Sequence, residues 1–304
     1  MSRARENVPP AQQPSPFKGE GVLDLKSAPS SFVGENKGEG TQTVSRTVSI
    51  IRSRDDQTES ATDRVAEETP IALRYNGVPH VVMMATPADL EDLAVGFTVT
   101  ESVATAAEIR SVVVSQADDG MQVDLHIASE RFAALLQRQR NLTGRTGCGV
   151  CGVATIEDAI RVPSRCAADV RVTSEELHTI LRTLGERQGL NHIVGSVHGA
   201  AWARANKGIE CVREDVGRHN ALDKTIGALL LEKVDPASGY LVITSRASYE
   251  MVLKAATVGA SLLIAVSAPT ALAIDLAAKS GMTLVGFARE HSHVVYTHPE
   301  RIIA

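Results

Sequence analysis

The chain has 304 residues, of which 43% are hydrophobic, and it carries a formal net charge of −5. This length and apolar content suffice for one large domain or two modest domains. The negative charge and an aromatic content of only 3% argue against a nucleic-acid-binding protein, because such proteins usually need a basic surface and aromatic side chains that stack on bases.

Residues 1–45 are rich in proline, glycine, serine, glutamine and charge, and they show no hydrophobic periodicity. This composition predicts a disordered tail. No apolar run in the chain is long enough to cross a bilayer, and the N-terminus has no apolar signal-peptide segment. We therefore expect a cytoplasmic protein with no membrane partner.

Residues 46–140 predict a small N-terminal α+β part. A hairpin is expected over residues 71–85, with its turn at Asn76-Gly77. Thr86 is expected to cap a following helix, because Pro87 suits a first helical turn. Two strands (111–115 and 121–127) and a helix (129–140) complete this part.

Residues 153–304 alternate between strand and helix patterns, which predicts an α/β domain with a largely parallel or mixed sheet covered by helices. The predicted strands are 193–203, 209–213, 240–244, 262–267 and 283–287. The predicted helices are 154–160, 173–189, 221–231, 249–258 and 270–279.

Between the two parts, residues 141–152 predict a flexible loop that carries two thiols, Cys148 and Cys151, among four glycines. A thiolate can bind zinc, exchange disulfides or carry sulfur as a persulfide. A zinc site would need further ligands at a suitable spacing, and Cys166 and Cys211 each stand alone. A redox pair would follow a strand, whereas this pair follows a helix. A sulfur-carrying thiol fits best, and a loop without chemistry is the remaining alternative.

Three further polar clusters lie where predicted strands end. The first contains Asp215 and His219, and the second contains Ser245 and Arg246 at a strand-to-helix turn that suits a phosphate. The third is the run Phe287, Ala288, Arg289, Glu290, His291 and Ser292, in which an aromatic ring could stack on a base. Taken alone, each cluster is equally well explained by solvated turns, helix caps and surface loops.

Several stretches in this order resemble the FdhD family of formate dehydrogenase accessory sulfurtransferases, over residues 69–303. The stretches are Thr86-Pro87-Ala88-Asp89-Leu90-Glu91 with Gly96-Phe97, the Cys148 and Cys151 loop, residues 213–224, residues 245–251, residues 265–270 and Thr297-His298-Pro299-Glu300-Arg301. Any one stretch is weakly specific, but all of them in sequence are highly specific.

The resemblance implies a protein that accepts persulfide sulfur from a cysteine desulfurase. It then transfers the sulfur to the molybdenum cofactor, Mo-bis(molybdopterin guanine dinucleotide), before this enters formate dehydrogenase. Cys148 matches the family's persulfide carrier, Cys151 matches its neighbour, and residues 287–292 match the cofactor-binding stretch. The family also implies a three-layer fold like that of cytidine deaminase, a homodimer, and binding of a guanine nucleotide such as GDP as a surrogate.

The chain departs from the family pattern around His198, where Val194-Gly195-Ser196-Val197 replaces a Thr-Gly-Gly run, and this puts a ligand role for His198 in doubt. Two other functions were weighed. A zinc nucleoside deaminase would need His-x-Glu and Pro-Cys-x-x-Cys motifs, and both are missing. A non-catalytic assembly chaperone for formate dehydrogenase would move no sulfur and would not need the cysteine pair.

Overall fold

The computed structural model describes residues 43–55, 57–143 and 163–303, without the side chains of residues 139–143. The described residues all belong to the unit Gly34–Ala304. Among them, no helix combines the length and the apolar character needed to cross a membrane. Of the predicted tail, residues 1–42 lie outside the described residues. The helix predicted over 154–160 and both Cys148 and Cys151 also lie outside them.

The described part of the chain begins with a long antiparallel hairpin, here called the arm (Ser45–Ala66). Strand β1 (Ser45–Arg54) pairs with strand β2 (Gln57–Ala66) over ten consecutive residue pairs. No other strand joins this two-stranded sheet among the described residues. Seven of the ten residues in each strand are exposed to solvent.

A four-stranded sheet in the order β4-β3-β6-β5 follows the arm. Its elements are β3 (Thr69–Tyr75), β4 (Val78–Ala85), helix α1 (Leu90–Thr100), β5 (Ile109–Ala117), β6 (Gly120–Ile127) and helix α2 (Ser129–Thr143). Alternate residues of β3 and β6, such as Leu73 and Leu125, are buried in one core cluster with Leu93 of α1. The period of two in these strands therefore gives one face packed against α1.

The C-terminal part is built on a six-stranded mixed sheet in the order β13-β12-β11-β10-β8-β9. The strands are β8 (His198–Arg204), β9 (Gly208–Asp215), β10 (Tyr240–Ile243), β11 (Leu262–Ala265), β12 (Thr283–Arg289) and β13 (Ser292–Thr297), and a small separate sheet pairs β7 (Val172–Thr173) with β14 (Ile302–Ile303). Strands β10, β11 and β12 are parallel to one another, whereas β8 and β13 run antiparallel to their neighbours.

Helices cover both faces of this sheet. The helices are α3 (Ser174–Arg187), α4 (Gly189–Val194), α5 (Arg218–Leu231), α6 (Tyr249–Thr257) and α7 (Ala271–Ser280). One core cluster joins Leu241 and Ile243 of β10 to α5, α6 and α7. The other joins Tyr240 and Val242 of the same strand to α3. The α/β class and its three layers are therefore confirmed, while the specific likeness to cytidine deaminase stays a prediction.

Helices α1 and α5 connect the N-terminal part to the C-terminal part by touching through their backbones. A Cβ atom added at Gly96 of α1 would lie 1.8 Å from the carbonyl oxygen of Asp223, and one added at Gly227 of α5 would lie 1.8 Å from that of Asp92. Since no side chain fits at either position, glycine is required at both for this close approach.

The structure corrects several local predictions. Thr86 does not cap α1, which starts at Leu90 after Asp89 in a left-handed conformation (φ 52°). Residues 193 and 194 end helix α4 instead of starting a strand. Helix α2 continues to Thr143, three residues into the segment predicted as a loop. Strand β1 begins at Ser45, the last residue of the predicted tail.

Candidate functional site

The carboxyl ends of three parallel strands, β10, β11 and β12, define one edge of the central sheet. Because β8 runs antiparallel to β10, it begins at this same edge, and His198 at its start pairs with Asp215 at the end of β9. We call this region the site edge; it comprises His198, Asp215–Asn220 and residues 244–250, 266–270 and 286–292. All three polar clusters predicted from the sequence meet there, as expected for ligand sites in α/β sheets.

Backbone hydrogen bonds tie the loops of the site edge to one another. They run from Thr244 N to Gly199 O (3.0 Å), Val266 N to Ile243 O (2.9 Å), Thr270 N to Ala247 O (3.1 Å) and Phe287 N to Ser267 O (3.2 Å). Each loop is therefore hydrogen-bonded to a neighbouring strand or loop, and these bonds fix the backbone that carries the candidate residues.

Asp215 is fully buried, and protein groups occupy both of its carboxylate oxygens. Its Oδ2 accepts a hydrogen bond from Thr86 N (3.0 Å) and lies 2.7 Å from Lys224 Nζ. Its Oδ1 accepts hydrogen bonds from Gly217 N (2.8 Å) and Asn220 Nδ2 (3.0 Å). This geometry makes Asp215 a brace for the turn before α5, and its contact with a ligand stays a prediction.

His219 lies in the first turn of α5 and faces the first turn of α6. Its Nε2 is 3.4 Å from Glu250 Oε2. Burial lowers the pKa of His219 below its ordinary value, and the nearby Arg218 guanidinium lowers it further. Burial and Arg218 lower the pKa of His198 in the same way. A lowered pKa favours the neutral imidazole, which can both donate and accept a hydrogen bond.

In the turn after β10, some polar side chains bond to other protein groups and others face the solvent. Ser245 is buried, and its hydroxyl donates to the carbonyl oxygen of Arg246 (3.1 Å). Ser248 occupies the N-cap position of α6, but its hydroxyl donates to Glu250 Oε2 (3.0 Å) and not to a backbone group. The Arg246 side chain is exposed. Of the predicted phosphate-binding groups, Arg246 is thus the one most open to a ligand.

Phe287 has a backbone conformation that aromatic residues rarely adopt. Its φ is 49°, and its side chain is 47% exposed. The β12–β13 register is irregular between Gly286 and Arg289, and the Phe287 N–H turns to Ser267 instead. A left-handed residue of this kind costs about 1–2 kcal/mol. Such strain is concentrated at functional sites, so Phe287 is the most informative residue of the predicted stretch.

Of the remaining residues of the stretch 287–292, two support the local fold and three are exposed to solvent. Ala288 is buried in the core cluster beneath the sheet. The Arg289 guanidinium donates to the carbonyl oxygens of Val266 and Ala288, so it holds the hairpin against the loop after β11. Glu290, His291 and Ser292 are exposed at the turn.

The two cysteines that the structure describes are poor nucleophiles. Cys166 and Cys211 are buried, with exposures of 8% and 5%. Burial raises the pKa of Cys211 to about 11, and burial also raises the pKa of Cys166. Within the described ranges, no three histidine, cysteine, aspartate or glutamate side chains are grouped as metal ligands. Neither thiol suits sulfur transfer, and the sulfur-carrying role of Cys148 and Cys151, which lie outside the described residues, stays a prediction.

A model of the FdhD/NarQ family matches residues 66–303. The chain belongs to the FdhD/NarQ family. It is 47% identical over 266 residues to the sulfur carrier protein FdhD of Cupriavidus necator, covering 87% of this chain and 92% of that one. It is 50% identical over 254 residues to the sulfur carrier protein FdhD of Xanthomonas euvesicatoria, covering 83% and 90%.

A solved structure is also similar to most of this chain. It is the crystal structure of a protein from Desulfotalea psychrophila that is described as a formate dehydrogenase accessory protein, with a TM-score of 0.68 and 26% sequence identity. The alignment covers 86% of this chain and all of that one. The family resemblance inferred from the sequence motifs is thus confirmed.

Sequence reasoning missed a buried charge network next to the site edge, where helices α1, α5 and α6 meet. Lys254 of α6 donates hydrogen bonds to Asp223 Oδ2 (2.9 Å), Thr100 Oγ1 (3.0 Å) and Glu101 Oε1 (2.9 Å). Beside it, Lys224 Nζ donates to the carbonyl oxygen of Thr86 (2.9 Å). A sequence signal existed, because Asp223 and Lys224 lie in the largely apolar stretch 221–231 of α5, and charges inside proteins need partners.

Proposed function

We propose that this protein is a sulfur carrier for formate dehydrogenase maturation. Cys148 accepts a persulfide sulfur from a cysteine desulfurase. The sulfur then passes to the molybdenum cofactor, in its bis(molybdopterin guanine dinucleotide) form, before the cofactor enters formate dehydrogenase. The protein acts as a homodimer in the cytoplasm, and its partners are the desulfurase and formate dehydrogenase.

The identity of 47–50% to proteins named sulfur carrier protein FdhD, over most of both chains, is the observation that carries this proposal. The name of the similar solved structure supports the link to formate dehydrogenase. The burial of Cys166 and Cys211 adds a physical reason, because it leaves Cys148 and Cys151 as the candidate thiolates.

Loading of sulfur is an exchange between two thiols. The Cys148 thiolate attacks the outer sulfur of the desulfurase persulfide, a new S–S bond forms on Cys148, and the old S–S bond breaks to release the desulfurase thiolate. No net oxidation or reduction occurs in this step. Arg145, three positions before Cys148, favours the anionic thiolate.

Release of that sulfur as sulfide requires two electrons. Cys151 supplies them when its thiolate attacks the Sγ of Cys148, which expels the outer sulfur as hydrosulfide and leaves a Cys148–Cys151 disulfide. A cellular thiol then reduces the disulfide and resets the carrier. The order of these steps explains why two thiols stand three positions apart.

The site edge has the groups that a guanine nucleotide arm needs. Phe287 presents an exposed ring on which a base can stack. Arg246 presents an exposed guanidinium that can pair with a phosphate. The imidazoles of His198 and His219, whose pKa values are lowered by burial, add hydrogen-bonding groups at the same edge. We therefore assign the guanine nucleotide arms of the molybdenum cofactor, as substrate, to this edge.

The test is to incubate the protein with a cysteine desulfurase and cysteine, and then to measure cyanide-labile sulfur. The parent protein and a Cys166→Ala control are expected to hold about one sulfane sulfur per chain, because the Cys166 thiol is buried. Cys148→Ala is expected to hold almost none. Equal sulfur on Cys148→Ala and on the parent would disprove the assignment.

The chaperone alternative is tested in a strain that lacks its own sulfur carrier. If Cys148→Ala/Cys151→Ala restores full formate dehydrogenase activity, the protein moves no sulfur and only binds and delivers. The sulfur-carrier proposal expects no restoration by this variant and full restoration by Cys166→Ala.

A further inference from the structure

Two histidines meet beside the site edge, at a place that the proposed function does not use. His178 lies in the second turn of helix α3, and His293 is the second residue of strand β13. The Nε2 atom of His178 and the Nδ1 atom of His293 are 3.2 Å apart, although 115 positions separate the two residues in the sequence. Their ring centroids are 5.3 Å apart, and the ring planes are inclined at 60°. The fold alone therefore brings these two imidazoles together.

Both side chains are half-buried between the helix and the sheet. His293 and Val295 lie on the same face of β13, and Val295 packs against the core cluster that contains Leu177 of α3. Burial lowers the pKa of His293, and the neighbouring His178 lowers it further. A lowered pKa favours the neutral imidazole, which is the form that binds metal ions. The pair is thus carried by packed elements, while part of each side chain still faces the solvent.

The spacing of the two nitrogens is close to that of two ligands of one metal ion. Histidine nitrogens lie about 2.0–2.1 Å from zinc in a tetrahedral site, so two such nitrogens are about 3.3–3.4 Å apart. The observed distance is 3.2 Å. An ion can therefore bind after small rotations of the two rings. The proton that lies between the two nitrogens moves to the other nitrogen of the same ring, so that ring changes its tautomer and both imidazoles stay neutral.

A carboxylate lies one helical turn before this pair. Glu175 and His178 have the spacing i and i+3, which makes their side chains neighbours on the surface of α3. The same Glu-x-x-His spacing supplies two metal ligands in helical carboxylate sites. Glu175 is exposed, so its side chain can turn toward an ion held by the histidines. Without that turn, the imidazoles have no third ligand grouped with them within the described ranges.

We propose that His178 and His293 bind one divalent ion of the zinc, nickel or copper class, with Glu175 as the third ligand and water in the remaining position. Imidazole nitrogen suits these ions, whereas magnesium and calcium take oxygen ligands. This inference goes beyond the proposed function and is independent of it, because the ligands include neither the loop cysteines nor the residues of the site edge.

Binding of the ion links α3 to the outermost strand of the six-stranded sheet. Among the described residues, β13 pairs with β12 alone. A two-residue turn, Glu290 and His291, joins these strands, and His293 directly follows the stretch 287–292. A metal link at His293 therefore fastens this hairpin to the helix. An ion that binds only the folded chain raises its thermal stability, so the site has a readout that does not depend on sulfur transfer.

Calorimetric titration with zinc chloride tests the site. The full chain is used in a Cys148→Ala/Cys151→Ala background after treatment with EDTA, so that the loop thiols bind no zinc. We expect one zinc ion per chain. His178→Gln and His293→Gln are each expected to weaken zinc binding at least about tenfold, since even groups that only support a metal ligand contribute about 10–100-fold. His126→Gln is the matched control, because His126 is an exposed histidine of β6 in the other sheet.

Glu175→Gln tests the third ligand separately. It keeps the size of the side chain and removes its charge, so zinc binding is expected to weaken, but by less than in either histidine variant. The same affinity in Glu175→Gln and in the background protein would overturn the assignment of Glu175.

Thermal unfolding with and without zinc distinguishes a metal site from a structural hydrogen bond. With zinc, the background protein and His126→Gln are expected to melt several degrees higher, whereas His178→Gln and His293→Gln are expected to show no such rise. The site is overturned if the background protein binds no zinc, or if both variants of the pair keep its affinity. A variant of the pair that melts lower without zinc but keeps the full zinc-dependent rise would also overturn it, because the imidazoles would then only hold α3 against β13.

Discussion

Two regions of the molecule use charged and polar side chains in different ways. One is the contact between helices α1 and α5, and the other is the site edge. At the contact, Lys224, Asp223 and Lys254 are buried, and they hydrogen-bond to Thr86, Thr100 and Glu101 of the N-terminal part. At the site edge, Arg246 is exposed, and burial lowers the pKa of His219. The two regions are adjacent, since α5 contributes to both.

The difference shows that charge alone does not mark a ligand-binding group. Asp215 satisfies its carboxylate with Thr86, which lies 129 positions away in the sequence. Arg246 is exposed and has no comparable buried partner in the described part of the chain. A polar residue near a strand end is thus available for binding only when no distant segment of the chain satisfies it first.

The largest expected effect on stability comes from removing one member of a buried ion pair, which tests the difference between the two regions. Lys224→Met leaves the Asp215 carboxylate buried without its cation, so we expect a loss of about 3–5 kcal/mol of unfolding free energy in urea titrations. Arg46→Met is the control: Arg46 pairs with Glu67 but is 68% exposed, so we expect a loss below about 1 kcal/mol.

Adding Asp215→Asn to Lys224→Met removes the unpaired charge and should recover part of the lost stability. If Lys224→Met costs no more than Arg46→Met, the buried pair does not hold the two parts of the chain together, and the distinction between the regions fails.

The next largest effect tests the backbone contact. Gly227→Ala would place a Cβ atom 1.8 Å from the carbonyl oxygen of Asp92, so the helices must separate, and we expect a loss of about 1–3 kcal/mol. Gly185→Ala in α3 is the matched control, because nothing lies within 4 Å of its Cβ position. Alanine there should stabilise the helix by about 0.5–1 kcal/mol.

Both alanine variants can be compared by thermal and urea unfolding. An increase in stability in both proteins would contradict the close approach of α1 and α5, because helix propensity alone favours alanine at both positions.

At the site edge, we expect a substitution to change ligand affinity without lowering thermal stability. Phe287→Gly removes the exposed ring and also relieves the left-handed backbone (φ 49°). We expect the melting temperature to rise or stay unchanged, whereas GDP affinity, measured by calorimetry, falls about tenfold, since stacking on one base is worth about 1–3 kcal/mol. Leu272→Gly would not serve as a control, because glycine destabilises a helix; Leu272→Ala, at an exposed position of α7, should leave GDP affinity unchanged.

Unchanged GDP affinity in Phe287→Gly would remove the base-stacking role from this residue. A marked loss of thermal stability would instead show that the ring supports the fold.

The smallest effect is the pH dependence of His219. Burial lowers its pKa in the folded state below 6.5, so the unfolded chain binds more protons there, and folding stability falls as the pH drops below about 6.5. His219→Gln should flatten this slope between pH 7.5 and pH 5.5, as measured by urea unfolding at each pH. A variant with the same slope as the parent would show that His219 titrates as a solvated residue.

Local signals predicted much of the fold. The Asn76-Gly77 turn has the two positive φ angles, 50° and 81°, that a two-residue hairpin needs. Helix α3 begins where it was predicted, and Thr173 caps it with its side chain accepting a hydrogen bond from Glu176 N. The strand and helix alternation after residue 198 also followed from hydrophobic periodicity. Strand β13 was missed because its residues, Ser292–Thr297, are mostly polar or half-exposed.

The sequence named the candidate site residues one cluster at a time, and their binding roles stay predictions. Strand order decides which loops meet, and that order depends on pairings such as His198 with Asp215. The error at Thr86 has the same origin: its N–H and hydroxyl look like a helix cap locally, yet they bond to Asp215 and Val216. Short-range rules fail where the partner lies more than a hundred residues away.

The left-handed backbone at Phe287 has a kinetic consequence. The ring is held outward by a hairpin that is already bent, so a ligand meets a surface that needs no rearrangement. The unfavourable conformation is adopted once, when the chain folds, and not at each binding event. Under the proposed function, a nucleotide arm would therefore bind and leave without a conformational step in this hairpin.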